Sequence, residues 1–358
     1  MNILIICGER SSNKYGLELA KELNQHNHHV YSFGDDVIST ETTCLLPIDS
    51  TQHSVSFGQW FKKRTLIKQM KHTLTNSNIH FDKAIIIDFP GFNFKVATLL
   101  RRMSIPILTF ITPNFWLWNN TRLAKKVLNY SDDVITIFKP EYDLYASINP
   151  KKTHYFGHPL PLNITPFDSA KKNTFTVGLF PGSRKSEINH HLPAMLTIKN
   201  QANQSNIEFK LFCETPKLIP QIKAILLHNN CSEVPVYANL DEQLDFAITA
   251  PGTNTLKLAL HKIPMIIIGY LNIWVYLIAK HVLRIKVNFI GLPNIILNKA
   301  AFSEYIQPNT KDVKTISNQL IQLSQSNSNL DQFDQVFDDL HDAIKPANHF
   351  YSQITRLI

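Results

Sequence analysis

Three short segments combine residue types and spacing suited to chemistry. Ile87-Asp88-Phe89-Pro90-Gly91-Phe92-Asn93 follows the apolar run 83–87. A carboxylate at the carboxyl end of a buried strand can take a proton from an attacking hydroxyl. Asp88 could equally fix the turn by accepting backbone N–H bonds. Leu179-Phe180-Pro181-Gly182-Ser183-Arg184, with Glu187 after it, reads as strand, tight turn and helix start. That arrangement suits a phosphate, which Arg184 can bind through two N–H groups. Thr249-Ala250-Pro251-Gly252-Thr253-Asn254-Thr255-Leu256-Lys257 repeats it. Either turn alone could be a plain βα connection; two in one domain fit a diphosphate. Neither is followed by GKS or GKT, and neither is a GxGxxG, which argues against ATP and NAD.

Two more segments sit at strand ends. Gly8-Glu9-Arg10-Ser11-Ser12 closes the first strand. Its small and hydroxylated residues leave N–H groups for a ligand, unless Ser12 or Asn13 serves only to cap the helix. Thr112-Pro113-Asn114-Phe115-Trp116-Leu117-Trp118 brings paired tryptophans to a loop, as a sugar or acyl platform or a hydrophobic lid. The four cysteines, Cys7, Cys44, Cys213 and Cys231, have no metal-binding spacing. Cys7 and Cys213 lie in apolar runs, so a reducing compartment and no metal are expected.

Elements must position these groups. Strands are expected at Asn2–Cys7, His29–Phe33, Lys83–Ile87, Pro106–Ile111 and Asp133–Ile137. Helices fall between them, including Lys14–Leu23, whose Tyr15, Leu19 and Leu23 recur at i, i+4 and i+8. The proline-bearing stretch 158–173 reads as a linker. The alternation then restarts, with strands at Phe175–Phe180, Glu208–Cys213, Val234–Tyr237, Phe246–Thr249 and Met265–Ile268. The expected fold class is α/β: two doubly wound, Rossmann-like domains facing across a cleft in the GT-B manner. The expected boundaries are 1–165 and 166–334, with a terminal helix, 335–358, packing back on the first domain.

The chain has 358 residues, 36 Lys and Arg against 28 Asp and Glu, and a net charge of +8. The excess suits an acidic partner, or equally a solvated basic surface with no specific partner. The basic clusters are short and not interleaved with aromatics, so nucleic acid is not expected. The apolar stretch 263–279 is too short to span a bilayer. A helix beginning near Asn272 carries Trp274, Tyr276 and Leu277, then Lys280, His281, Arg284 and Lys286. That pattern suits the edge of an anionic membrane or an ordinary core helix.

In order, these segments resemble the lipid-A-disaccharide synthase family over most of the chain. Gly8-Glu9-Arg10-Ser11-Ser12-Asn13 stands for Gly-Glu-x-Ser-Gly-Asp, with Gly16 kept. Ile87–Asn93 stands for Ile-Asp-x-Pro-Asp-Phe-Asn, and Thr112–Trp118 for Ser-Pro-x-x-Trp-Ala-Trp, followed by Arg122. Pro140-Glu141 stands for Pro-Phe-Glu without the Phe, and Gly157-His158-Pro159-Leu160, Pro181-Gly182-Ser183-Arg184 with Glu187, Leu292–Ile295, Glu304 and Gln307 match. The chain departs from the pattern at Ser12-Asn13, at Gly91 in place of a second Asp, and at Lys257 in place of a Glu.

The resemblance implies inverting transfer of 2,3-diacylglucosamine from UDP to 2,3-diacylglucosamine 1-phosphate. The β-1,6 disaccharide and UDP are the products. It implies Asp88 as the catalytic residue. The donor would be held by Pro181, Gly182, Ser183, Arg184, Gly252, Thr253, Asn254, Thr255, Asn294, Glu304 and Gln307. Gly8, Glu9, Ser11, Asn93 and Trp116 would lie on the acceptor side. No cofactor is implied beyond the UDP-sugar substrate. The implied partners are acylated glucosamine substrates and an anionic membrane surface, with a homodimer compatible. The implied location is cytoplasmic, on the inner face of the bacterial inner membrane. Two alternatives remain: a related GT-B transferase with altered substrates, and a non-catalytic membrane-associated relative.

Overall fold

The computed structural model describes residues 1–8, 10–48, 60–88, 92–112, 120–159, 174–204, 206–240, 244–270, 289–325, 330–344 and 349–358. The chain forms two compact units, Met1–Leu160 with Ile344–Ile358, and Pro161–Ala343. The expected boundary at 165/166, most of the linker and the helix near Asn272 lie outside the described residues.

The first unit holds a seven-stranded, all-parallel sheet. Its strands are β1 (Asn2–Cys7), β2 (His29–Gly34), β3 (Thr43–Pro47), β4 (Lys83–Ile87), β5 (Ile107–Phe110), β6 (Asp133–Thr136) and β7 (Thr153–Tyr155), in the order β3-β2-β1-β4-β5-β6-β7. β1 and β4 are continuous apolar runs because helices cover both faces. Ile3 to Cys7 and Ala84 to Ile87 are all fully buried. One face packs α2 (Trp60–Asn76) and α3 (Asn93–Arg102) through Leu66, Met70, Val96 and Leu100. α1 (Arg10–Gln25) buries Leu19 and Leu23. α4 (Thr121–Tyr130) starts where Asn120 accepts the Leu123 amide at 3.1 Å, and α5 (Lys139–Ala146) follows β6.

The second unit repeats the design with six parallel strands. They are β8 (Phe175–Phe180), β9 (Ile207–Phe212), β10 (Val236–Tyr237), β11 (Phe246–Thr249), β12 (Met265–Gly269) and β13 (Ser303–Ile306), in the order β10-β9-β8-β11-β12-β13. Among the described residues its helices are α6 (Lys185–Gln201), α7 (Ile219–His228), α8 (Thr253–Leu260), α9 (Leu292–Leu297), α10 (Thr310–Gln325) and α11 (Asp334–Ile344). Val177, Leu179, Leu192, Leu211, Ile316 and Leu320 are part of the core.

Three strands were not anticipated. β3, β7 and β13 are three to five residues long and only partly buried, so they lack the apolar run that marks the others. α1 begins at Arg10, four residues before its expected start. Ser12 and Asn13 are therefore inside the helix and fully buried, and neither is its cap. The segment that returns to the first unit is Ile344–Ile358, shorter than 335–358. α11 instead packs on the second unit, where Phe337 lies 5.9 Å from Phe302 and Lys299 pairs with Asp339 at 2.5 Å. The returning segment carries α12 (Phe350–Thr355). Phe350 packs on Phe110 at 5.7 Å, and the Lys83 ammonium donates to the Leu357 carbonyl at 2.5 Å.

Candidate active site

In an open parallel sheet, ligands bind outside the carboxyl ends of the strands where the strand order reverses. In the first unit that point lies between β1 and β4, and Cys7 pairs with Ile87 in register. Gly8 and Asp88 therefore leave the sheet side by side. The Asp88 amide donates to the carbonyls of Phe110 and Ile111 at 3.2 and 3.3 Å. Its φ is +23°, and that of Ile111 is +61°. Positive φ at non-glycine residues is a strained conformation that a fold retains where a position must be held.

Tyr15, on the first turns of α1, meets this corner. Its ring packs edge-on against Phe110 at 6.2 Å and His158 at 6.5 Å. Burial, and then the Asp88 charge, raise the Tyr15 hydroxyl above the usual tyrosine range, so it stays protonated. His158 is 2% exposed, and burial pushes its pKa down to about 3. It is a neutral imidazole at physiological pH. Tyr15 was readable only as part of the apolar stripe of α1, and nothing in the stripe marks it as a neighbour of Asp88.

Glu141 staples two strand ends of this unit together. Its carboxylate accepts the Thr112 amide at 3.0 Å, the Thr112 hydroxyl at 2.6 Å, and the amides of Ile137 and Phe138 at 2.8 and 3.3 Å. Burial raises its pKa, and these donors oppose the rise. Thr112 leads into 113–119. Glu9 and Trp116 lie outside the described residues, as do the side chains of Ser11 and Asn93.

In the second unit the order reverses between β8 and β11, where Phe180 pairs with Thr249 and the Ala250 amide donates to the Phe180 carbonyl at 2.8 Å. Both glycine turns thus emerge at one point, Pro181–Arg184 beside Pro251–Asn254. Gly182 has φ +111° and Gly252 φ +137°, which only glycine adopts readily.

The first turn holds an anion of its own. Glu187 Oε2 accepts the amides of Ser183 and Arg184 at 2.9 and 3.2 Å, and Oε1 accepts Arg184 Nη1–H at 3.1 Å. A Cβ on Gly182 would lie 2.6 Å from Glu187 Oε2. A phosphate can therefore take those two amides only by displacing Glu187. The second turn is open. Gly252 and Thr253 are exposed at the start of α8, and among the described residues a Cβ on Gly252 would meet nothing within 4 Å.

Other residues expected around the donor hold the frame. The Thr255 hydroxyl is fully buried, donating to the Gly252 carbonyl at 2.7 Å and accepting the Leu292 amide at 3.2 Å. Asn294 is fully buried and brackets Phe302, accepting its amide at 2.8 Å and donating to its carbonyl at 2.7 Å. Glu304 accepts the amides of Ile290 and Gly291 and the Asn294 side-chain amide, all at 2.7–2.8 Å. Gln307 donates its amide to the Gly269 carbonyl at 2.8 Å. These contacts fix the carboxyl ends of β12 and β13.

His191 carried no signal in the sequence. Its Nδ1–H donates to the Glu187 carbonyl at 2.7 Å and its Nε2 accepts the Tyr270 amide at 3.1 Å. That pair of bonds requires the neutral ring, and burial lowers its pKa in agreement. It ties the first turn of α6 to the exit of β12. Across the same strand ends, Lys257 of α8 donates to Glu214 Oε1 at 3.1 Å. Among the described residues, no group of three or more His, Cys, Asp or Glu side chains could hold a metal ion, and no helix is long and apolar enough to cross a membrane.

Comparison with solved structures gives the same architecture. The crystal structure of Acinetobacter baumannii MurG matches with a TM-score of 0.55 at 12% identity, covering 100% of this chain and 98% of that one. An S. aureus MnaA–UDP co-structure matches with a TM-score of 0.63 at 13% identity, covering 99% and 95%. A lipid-A-disaccharide synthase of Coxiella burnetii (strain Dugway 5J108-111) is 29% identical over 282 residues, 72% of this chain and 71% of that one. Two parallel sheets in this topology give the GT-B fold, and the family match over nearly the whole chain makes the protein a UDP-sugar glycosyltransferase. Residues 3–353 match the family model described as lipid-A-disaccharide synthetase, and the chain belongs to that family.

Proposed function

We propose that the protein transfers 2,3-diacylglucosamine from UDP-2,3-diacylglucosamine to the 6-hydroxyl of 2,3-diacylglucosamine 1-phosphate. The observation that carries this reading is the pairing of chemistry with topology. Asp88 stands at the switch point of the first sheet, and both glycine turns stand at that of the second. Asp88 takes the hydroxyl proton as the oxygen attacks the anomeric carbon. The bond from that carbon to the diphosphate breaks, UDP leaves, and configuration inverts in one displacement. Arg184 and the amides at Gly252–Thr253 stabilise charge on the departing diphosphate. The reaction calls for no redox step and no cofactor beyond the donor.

The acylated substrates imply work at an anionic membrane surface, on the cytoplasmic face of the inner membrane. Charge distribution supports this. α2, α3 and α4 are neighbours, and their sequences contain no Asp or Glu. Arg64, Lys68, Lys71, Lys95, Arg102 and Lys125 are exposed on them. Such cations contribute about 1 kcal/mol each beside anionic lipid. Nucleic acid is not a partner in this reading, and a homodimer is compatible with it.

The test is direct. Purified protein is given UDP-2,3-diacylglucosamine and 2,3-diacylglucosamine 1-phosphate, and UDP and disaccharide are followed together. Stoichiometric appearance of both is expected. UDP release without disaccharide, or neither product, overturns the assignment.

A further inference from the structure

Lys257 and Glu214 form an ion pair that the reaction above leaves without a task. Lys257 lies on α8, four residues beyond Thr253. Glu214 lies two residues beyond the end of β9. β8 runs between β9 and β11 in the sheet, so the pair bridges the strand end from which Pro181–Arg184 emerges. Both side chains are about one-third exposed, at 36% and 30%.

Resting on the donor reading above, we infer that Glu214 is the carboxylate that binds the ribose hydroxyls of the nucleotide, with Lys257 as its positioning residue. Three observations carry this. The first is topological. In doubly wound nucleotide-binding sheets the first βα turn faces the phosphates, and an acidic residue further along the chain binds the ribose. Here β8 leads into the first such turn of the unit, and β9 is the next strand. Glu214 stands at its carboxyl end.

The second is chemical. A ribose diol offers two O–H donors, and a carboxylate can accept both. An ammonium group has three donors and no acceptor, so Lys257 cannot serve that purpose itself. It can orient Glu214 through a charge-assisted bond. The third is spacing. Thr253 and Lys257 are one helical turn apart, about 6 Å along the axis. That is the scale of the step from a 5′-phosphate at Gly252–Thr253 to the ribose hydroxyls.

Calorimetric titration of the full chain with UDP, 2′-deoxy-UDP and 3′-deoxy-UDP tests the assignment. Wild-type protein is expected to bind UDP at least about tenfold tighter than either deoxy form, since a site built to pair a hydroxyl rejects the analogue lacking it. Glu214→Gln is expected to weaken UDP by about tenfold or more and to shrink the discrimination to less than about threefold. Lys257→Met, which keeps the carboxylate, weakens UDP less and retains part of the discrimination. A purely structural pair predicts equal losses in the two variants with discrimination intact, and that result overturns the inference. UDP binding by wild type with no preference over the deoxy forms overturns it too, while leaving the donor reading standing. Failure of wild type to bind UDP overturns the donor reading itself. Thermal melting of both variants checks the fold, where the exposed pair contributes little.

Discussion

Glu187 holds Arg184 at two points, taking its amide hydrogen on Oε2 at 3.2 Å and its guanidinium on Oε1 at 3.1 Å. One carboxylate thus caps α6 and aims the cation proposed to face the donor diphosphate. Glu187→Ala should cost roughly 1 kcal/mol of stability, the usual value of a lost cap. It should also lower kcat/KM about tenfold or more. Arg184→Ala should lower kcat/KM about a hundredfold. Because both act through one guanidinium, the double variant should fall well short of the product of the two losses. Additive losses in that cycle would separate the cap from the cation.

Asp88→Asn keeps the shape of the side chain and removes its basicity. Loss of a general base costs about 10²–10⁴-fold in rate. Single-turnover rates should fall in that range, with UDP affinity within about twofold of wild type. Near-normal turnover would rule out Asp88 as the base.

Much of the fold is legible in the sequence itself. The runs Ile3–Cys7, Lys83–Ile87 and Phe175–Phe180 announce buried parallel strands because both their faces are covered. The glycine turns are legible because Gly182 and Gly252 carry a backbone few other residues tolerate. What stayed hidden depends on tertiary pairing. Asn13 reads as a cap, yet its Oδ1 accepts the Asp35 amide at 2.9 Å from inside α1. Thr255, Asn294 and Glu304 read as donor ligands because they lie in matching motifs, and their partners at Leu292, Phe302 and Ile290 are seen only when the chain is folded. His191 and Glu214 have no local pattern at all. Their roles depend on Tyr270 and Lys257, 79 and 43 positions away.

His158 makes the first unit acid-sensitive in a definite direction. Its folded pKa, about 3, lies below the value near 6.5 expected for the unfolded chain. The unfolded state therefore takes up the proton first as pH falls. The contribution to stability is complete above about pH 6.5 and declines towards pH 3, by roughly 1.4 kcal/mol per unit. Burial of His191 acts in the same sense. Between pH 7 and pH 5 the wild-type protein should lose roughly 2 kcal/mol more than His158→Gln, measured from urea unfolding at both pH values. Parallel pH profiles for the two proteins would exclude the buried imidazole as the cause.

The two turn glycines should fail in different ways when given a methyl group. Both have φ beyond the left-handed helical region, and an L side chain there costs roughly 1–3 kcal/mol. At Gly182 the new Cβ would also stand 2.6 Å from Glu187 Oε2 and 2.8 Å from Glu187 Cβ. Gly182→Ala must therefore push Glu187 off the amides of Ser183 and Arg184, adding about 1 kcal/mol for the lost cap. At Gly252 the Cβ meets no neighbour among the described residues, so Gly252→Ala bears chiefly the backbone cost. That methyl group enters the open space over Thr253, where the diphosphate is proposed to lie. Urea midpoints should rank Gly182→Ala as the less stable variant. Calorimetry should rank Gly252→Ala as the one losing more UDP affinity relative to its loss of stability. An unchanged dissociation constant for UDP in Gly252→Ala would remove the second turn from the phosphate site.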